Sequence, residues 1–461
     1  MSMGYITVWA CGDLCAAVSA CAQLRLLGCK ARVHDPQLTS DRPAPWRHGP
    51  QVVVGDGNIP HFDDTGASDL LVMGEAACNV LKRMGSKLTR RPPGLVPRVR
   101  TLTCRRHCGM LGPRNTHFPV DAIATSRDVL DVPKRWQVEA VEPDGRASVI
   151  VGIKSVLCMF MPRGPSLVSI LDKVTRHWGL HRSDPGERAL HRAITTASDH
   201  VPRGGTVVLG YSGGLTSCVS AHVLRKAIGP RVTACFVWTG LENTLVREGV
   251  TPGGVKIVMV DARQRTLDRL AGTTGFAERR RLLMRVFRDA CTEAYPGAAL
   301  SQGATYEALL MGVGGPALGT PGLVQPLEGL FREEVVLIAK EEKLAITAAA
   351  GPPSGFADCI LGPFSAEALR LCRTTDATLM RQLADANTPT PGVRARHTFT
   401  VDVWDSRRPR VCFGYEESHD GMGWRRMRLR DDGLDMVVEA LRSETNIPDL
   451  AVLYDVSLPL E

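Results

Sequence analysis

An apolar run, Thr206–Gly210, passes through Tyr211, Ser212, Gly213, Gly214, Leu215, Thr216 and Ser217 into a helical pattern that continues to Lys226. No other stretch constrains the fold as tightly. A buried strand followed by a glycine turn and a helix start is the geometry of a parallel α/β unit. The glycines let backbone approach a ligand, and the free N–H groups and dipole of the helix start favour an anion. A plain tight βα connection would use the same glycines. The serines at both ends add hydroxyl donors at the same place, so we expect a pyrophosphate-binding loop made by Ser212, Gly213, Gly214, Leu215, Thr216, Ser217 and Cys218.

Strand-like and helix-like segments alternate on both sides of this loop. Before it, strands are expected at Ile6–Ala10, Ala31–His34, Val52–Val54 and Leu70–Met73, with helices at Leu14–Leu27 and Ala76–Met84. The region 115–162 reads as strands with turns, ending in one strand over 155–160. Gly179–Gly186 reads as a linker, followed by a helix over 187–200. Beyond the loop, strands Val232–Val237, Lys256–Val260 and Ala299–Ser301 alternate with helices over 264–294 and at Leu330–Glu342. The end of the chain changes character. Strands at Val411–Tyr415, Trp424–Leu429 and Ala451–Val456 flank a helix near 433–443. The expected architecture is α/β: two doubly wound α/β domains, 1–178 and 187–365, and a small α+β domain, 366–461.

Composition narrows the class without naming a function. The 461 residues are 44% hydrophobic, enough for several cores, and the formal charge of +8 suits phosphate-rich ligands or a nucleic-acid surface. No apolar run approaches the roughly 18 residues that would span a bilayer. The 14 cysteines follow no disulfide framework, and several, such as Cys158 and Cys235, lie in apolar runs. Reduced thiols are expected, and the cytoplasm is the default compartment. Cys104, His107 and Cys108 are soft ligands at close spacing, but no second pair stands at zinc-site distance, so no metal site is expected there.

The order of the motifs resembles that of GMP synthetases, two-part enzymes that join a glutamine amidotransferase to a PP-loop ATP pyrophosphatase. The resemblance rests on 208–240, Val260-Asp261-Ala262, Gln302–Tyr306, Leu323–Val335, 446–450 and 453–456. It implies an amidotransferase-like domain over 1–178, a PP-loop domain over 187–365, and a C-terminal substrate and dimerisation domain over 366–461. In that family a cysteine nucleophile with a His–Glu pair releases ammonia from glutamine. ATP bound on a Ser-Gly-Gly-x-Asp-Ser loop, with magnesium, activates the oxygen of XMP, and ammonia then gives GMP.

Against that pattern the chain departs wherever side chains do chemistry. Matching 85–88 to the family's helix end puts Gly74 where the nucleophilic cysteine belongs, with Cys78 four residues further on, inside the helix. Met161 and Arg163 stand where the histidine and glutamate belong. Thr216 replaces the loop's aspartate, and a hydroxyl is a poorer ligand than a carboxylate for a hard cation. Gly314–Pro321 and Gly351–Phe356 replace two substrate-binding segments. The last residues, 457–461, lack the lysine and prolines expected to seat XMP.

Two readings follow. The first is a catalytically degenerate GMP-synthetase homologue that keeps a nucleotide-binding scaffold, as a homodimer or as one component of a larger assembly. The second is a ligase that uses free ammonia. A nucleic-acid-associated protein, binding RNA or a ribonucleoprotein through arginines at 105–106, 279–281 and 425–430, is a third. ATP is the expected nucleotide, magnesium a weak partner, and no membrane is involved.

Overall fold

Val52, Val53 and Val54 are completely buried, as are Leu71, Val72 and Met73. Uninterrupted apolar runs of this kind form strands covered on both faces, and full burial of each such side chain is worth about 1.5–3 kcal/mol. They lie at the centre of the first of two units, 1–189 and 190–461. The structure, a computed structural model, describes residues 6–11, 13–34, 50–55, 69–90, 99–106, 109–152, 154–180, 184–242, 249–310, 322–346, 355–386, 394–405, 408–418, 425–427, 431–445 and 451–454.

In the first unit, strands β1 (Ile6–Cys11), β2 (Ala31–His34), β3 (Gln51–Gly55) and β4 (Leu70–Met73) run parallel. Helices α1 (Leu14–Leu26) and α2 (Glu75–Arg83) follow β1 and β4. The carboxylate of Asp13 caps α1 by accepting from Ala16 N at 2.8 Å. A small pair, β5 (Leu88–Arg90) with β8 (Arg127–Val129), stands apart from the main sheet. Around it run β6 (Val99–Cys104), β7 (His117–Ala124), β9 (Gln137–Val141), β10 (Ala147–Val151), β11 (Ser155–Cys158) and β12 (Phe160–Pro162). The ten-stranded order is β12-β7-β6-β9-β10-β11-β4-β3-β1-β2. Half of this sheet is therefore parallel, from β2 to β11, and the wing from β10 to β12 is antiparallel.

The strand expected over 155–160 is two strands. Met159 leaves the ladder: its N–H goes to Ser148 O and its carbonyl takes the N–H of Thr125. Phe160 onward then pairs with β7 instead of β4. The expected linker also ends earlier. Asp184 accepts from Gly186 N and Glu187 N at 2.9 and 3.0 Å, and Pro185 opens α4 (Pro185–His200), a proline at the helix start beside an aspartate cap. Helix α3 (Gly164–His177) buries Leu167, Ile170, Leu171 and Val174 at helical spacing.

The second unit holds two sheets. Strands β13 (Val207–Gly210), β14 (Val232–Trp238), β15 (Gly249–Val250), β16 (Lys256–Asp261), β17 (Ala299–Ser301) and β18 (Leu323–Val324) form the order β15-β16-β14-β13-β17-β18. All but the edge strand β15 run parallel. Helices α5 (Leu215–Ile228), α6 (Arg263–Leu270), α7 (Phe276–Ala294), α8 (Tyr306–Leu310) and α9 (Arg332–Glu341) connect them. The chain moves from β13 to β14 and β16 on one side, then crosses to β17 and β18 on the other. The strand order thus reverses at β13, and ligands of open α/β sheets bind beyond the carboxyl end at such a point.

The other sheet has β19 (Ile360–Leu361), β20 (Arg394–Asp402), β21 (Arg410–Ser418), β22 (Arg425–Met427) and β23 (Ala451–Tyr454), with α10 (Ala366–Ala386) and α11 (Asp431–Thr445). Its core includes Phe364, Leu369, Cys372, Leu379, Val401, Phe413, Val437 and Leu441.

Candidate functional site

Tight turn chemistry shapes the loop after β13. Gly213 has φ +76°, a left-handed conformation that a side chain makes unfavourable. Gly214 is extended, with ψ 172°, and caps α5 without any side-chain help. Its carbonyl accepts from Cys218 N at 3.0 Å. The N–H groups of Leu215, Thr216 and Ser217 have no acceptor among the described residues. These three aligned donors, at the positive end of the α5 dipole, are suited to an anion.

The hydroxyls of the loop are turned inward. Ser217 Oγ donates to Gly214 O at 2.9 Å and lies 3.3 Å from Ser212 Oγ. Ser212 Oγ in turn accepts from Gly214 N at 3.4 Å. Cys218 is buried beneath the loop, where its thiol donates to Gly213 O at 3.3 Å and meets Tyr211 Oη at 3.2 Å. Burial raises both Cys218 and Tyr211 above their ordinary pKa values, so the pair is neutral. Cys218 is placed to support the turn from below and not to face a ligand. Thr216 is half-buried in the first turn of α5, which carries no acidic residue. The donors fit a phosphate group, and this turn offers no carboxylate to a cation.

Two contacts steady the surroundings. His222 Nε2 and Lys226 Nζ, both on α5, meet Glu342 at 2.9 and 3.0 Å. Burial lowers the His222 pKa despite the carboxylate. At the ends of β14 and β16, Arg263 stacks over Trp238 at 3.7 Å and pairs with Asp261 at 2.7 Å. Hydrogen bonds from Arg263 hold the Asp261 carboxyl at about 2.

A second glycine turn, in the first unit, joins β4 to α2. Gly74 has φ 76° and ψ −150°, and its N–H points at Cys158 O and Phe160 O at 3.2 and 3.1 Å. A Cβ on Gly74 would meet only Gly55 O at 3.5 Å and Met161 Cβ at 4.0 Å. The turn thus has room for a side chain and carries none. Met161, half-buried, is its neighbour, and Arg163 is exposed one residue before α3. Cys78 is 1% exposed, and burial, followed by the charge of Glu75, pushes its thiol up to about 12. It stays protonated at any physiological pH.

Of the arginine clusters, 279–281 is spent on structure. Arg279 is completely buried. It donates to Ala357 O at 3.0 Å, Ile360 O at 2.6 Å, Thr273 O at 2.7 Å, and Gly362 O. Arg280 pairs with Asp358 at 3.3 Å. Arg106 pairs with the buried Glu139 at 3.4 Å. Cys104 is buried with its thiol raised by that burial. Among the described residues no three His, Cys, Asp or Glu side chains gather as a metal would require, and no helix is long and apolar enough to cross a membrane. His107, Cys108, the segments 314–321, 351–354 and 457–461, and the side chains of 425–430 lie outside the described residues. Sequence reasoning missed the buried amides of Gln302 and Gln325 at the ends of β17 and β18. Their only sequence signal is a polar residue directly after a short apolar strand.

No family model matches the chain. Among curated proteins it is similar to a glutamine-hydrolysing GMP synthase of Lactobacillus delbrueckii, 30% identical over 289 residues, or 54% of this chain and 55% of that protein. A GMP synthase of Pyrobaculum aerophilum is 29% identical over 288 residues. One of the subunits of the glutamine-hydrolysing GMP synthase of Methanocaldococcus jannaschii is 31% identical over 206 residues, 39% of this chain and 64% of that protein. The chain spans about half the length of the full-length relatives it matches. A solved structure described as a putative GMP synthase subunit from Thermoplasma acidophilum aligns with 39% of this chain at 12% identity and a TM-score of 0.30. A glutamine amidotransferase of Thermotoga maritima aligns with 35% at 11% identity and a TM-score of 0.28. The resemblance to GMP synthetases read from the motifs thus stands as a sequence relationship, at about 30% identity over about half of the chain.

Proposed function

We propose that this chain is a catalytically degenerate relative of GMP synthetase that binds a nucleotide phosphate, ATP first among candidates, on the 212–217 loop. The observation that carries the reading is the open set of N–H groups on Leu215, Thr216 and Ser217 at the start of α5. The inward serine hydroxyls remove side-chain donors from that set, so the backbone supplies the binding. Charge-assisted contacts of this kind contribute on the order of 1.5–3 kcal/mol each, enough for micromolar to millimolar affinity once ordering is included.

In this reading the amidotransferase-like domain, 1–178, has no glutaminase activity, because the turn at Gly74 lacks a nucleophile and Met161 and Arg163 supply no base. The PP-loop domain is 187–365, and the C-terminal domain, 366–461, mediates a homodimer or attachment to a larger assembly. The proposed compartment is the cytoplasm. Burial of Arg279 and pairing of Arg280 remove those two from any RNA-binding face, which leaves a nucleotide as the favoured ligand. Calorimetry of the full chain with ATP, with and without magnesium, tests the binding. Absence of heat at millimolar ATP overturns it. The ligase reading keeps one supporting observation, the glycine turn itself. Pyrophosphate release and GMP formation from ATP, XMP and ammonium would establish that reading instead.

A further inference from the structure

Three strands of the six-stranded sheet end at one level on the face covered by α7. Val208 pairs with Leu300, and Leu300 with Leu323; Val208 and Leu300 pack into the α7 core. Side chains alternate along a strand, so Gly210 and Gln302 come next on that face, and continuing the alternation past β18 brings Gln325 beside them. Gln302 N donates to Val324 O at 3.1 Å, which carries the ladder to that level. Helix α7 covers the row. A Cβ on Gly210 would fall 2.1 Å from Phe287 Cζ, and Met284, one turn earlier on α7, accepts from Gln302 Nε2 at 3.8 Å on its sulfur.

The row carries two hydrogen-bonding groups with nothing to bond. Gln325 is 2% exposed, and its Nε2 is enclosed without an acceptor among the described residues. Gln302 Oε1 is likewise enclosed without a donor. Leaving a buried polar group unmade costs about 1–3 kcal/mol, so each such group in a folded chain calls for a partner. A thioether accepts and does not donate, so Met284 fixes the Gln302 amide with its oxygen outward. The result is one free acceptor and one free donor on adjacent strands, uncharged, with an aromatic ring and a polarisable sulfur alongside.

We propose that this row binds the edge of a planar heterocycle that presents an N–H and an acceptor side by side. The ring N–H donates to Gln302 Oε1 and the ring acceptor takes the Gln325 Nε2 proton, with Phe287 and Met284 as the apolar neighbours. Lactam and amidine edges of nucleobases both have this chemistry. The row deepens the nucleotide-binding reading by adding a base position next to the phosphate loop, yet it does not require phosphate on that loop.

Probes without phosphate separate the two. Ligand-observed NMR and calorimetry of the full chain use inosine for the lactam edge and adenosine for the amidine edge. Their blocked counterparts are 1-methylinosine and N6,N6-dimethyladenosine, and pyrophosphate is titrated in parallel. At least one unblocked nucleoside is expected to bind at millimolar concentration, with its blocked counterpart roughly tenfold weaker. Gln302→Leu, at a partly exposed position, is expected to weaken that nucleoside by about 3- to 10-fold, the worth of one net hydrogen bond, and to leave pyrophosphate unchanged. Gln325→Leu should do the same, with thermal melting checking that the core survives. Binding of neither nucleoside, equal binding of blocked and unblocked forms, or an unaffected Gln302→Leu overturns the proposal. Pyrophosphate binding in that outcome leaves the phosphate loop standing, and its loss alone leaves the base position standing.

Discussion

Gly74 and Gly213 stand at two strand-to-helix turns with nearly the same φ, and the two turns have opposite hydrogen-bonding economies. At Gly74 the backbone N–H is directed at Cys158 O and Phe160 O, and the open space is where a side chain would be. After Gly213 the N–H groups of Leu215, Thr216 and Ser217 are free, and the side chains bond among themselves. A turn whose work depends on one side chain is disabled by one substitution. A turn that works through main-chain donors keeps its chemistry as long as glycine keeps its shape. That contrast explains how one chain combines a bare elbow with an intact anion cradle.

The largest effect that would test this contrast concerns thiol reactivity at the first turn. Gly74→Cys places a thiol at a helix start, where the dipole favours the thiolate. Cys78, its own thiol held at about 12, is about 10⁻⁴ ionised at pH 8, against roughly a quarter for an ordinary cysteine. Alkylation followed by mass spectrometry should label Cys78 on the order of 10³-fold more slowly than the introduced cysteine. Neither the natural chain nor Gly74→Cys should release ammonia from glutamine, because Met161 and Arg163 give no base. Comparable labelling of Cys78 would show that its burial is misjudged and reopen it as a nucleophile.

Next in size is a valine exchanged into each turn in turn. A β-branched residue at φ +76° is strained by about 1–3 kcal/mol, so Gly213→Val and Gly74→Val should both lower thermal stability. Only Gly213→Val should abolish pyrophosphate binding, by more than about tenfold, since it alone displaces the free donors. Equal loss of binding in both variants would mean that the effect is global unfolding and that the contrast between the turns is empty.

Much of this frame was legible in the residues, and the gaps have physical causes. The strands at Ala31–His34, Leu70–Met73 and Ala299–Ser301 were expected where they occur, because short apolar runs between turn residues have one good solution. Helix α10 went unread. Thr375 and Thr378 are completely buried in it, so polar residues occupy core-facing positions and blur the apolar period. The strand over 155–160 is broken by a backbone exchange at Met159 that no side chain announces. At the site, the glycines and helix start were evident, whereas the inward turn of Ser212 and Ser217 depends on hydroxyl geometry. The Gln302–Gln325 row depends on which strands lie side by side.

A smaller effect is expected from Thr216→Asp. A carboxylate in the first turn of α5 competes with a phosphate for the same donors, so metal-free pyrophosphate should bind about 3- to 10-fold more weakly, the scale of a neighbouring charge at partly exposed positions. Millimolar magnesium should recover much of that loss in the variant and alter the natural chain less, because only the variant offers the cation a carboxylate. GMP formation from XMP and ammonium should remain absent, since this substitution adds nothing to the acceptor side. An equally strong magnesium effect in both chains would place a metal-binding carboxylate elsewhere and favour the ligase reading.

The smallest effect should come from Ser217→Ala, and it discriminates most sharply between backbone and side-chain binding. Ser217 is 4% exposed and its hydroxyl donates to Gly214 O at 2.9 Å, so alanine removes a bond internal to the turn. The expected cost is about 0.5–1.5 kcal/mol of stability, read as a lower melting temperature. Pyrophosphate affinity should fall by less than about threefold, because the N–H groups of 215–217 are unchanged and Gly213 still sets the turn. A hydroxyl that left Gly214 O to bond phosphate would behave differently. Its removal would cost a charge-assisted bond of about 1.5–3 kcal/mol, at least tenfold in affinity, with melting of the free protein nearly unaffected. The two measurements on one variant therefore move in opposite proportions under the two accounts. A large affinity loss with an unchanged melting temperature would show that the serines swing outward on binding, and that this turn, too, depends on its side chains.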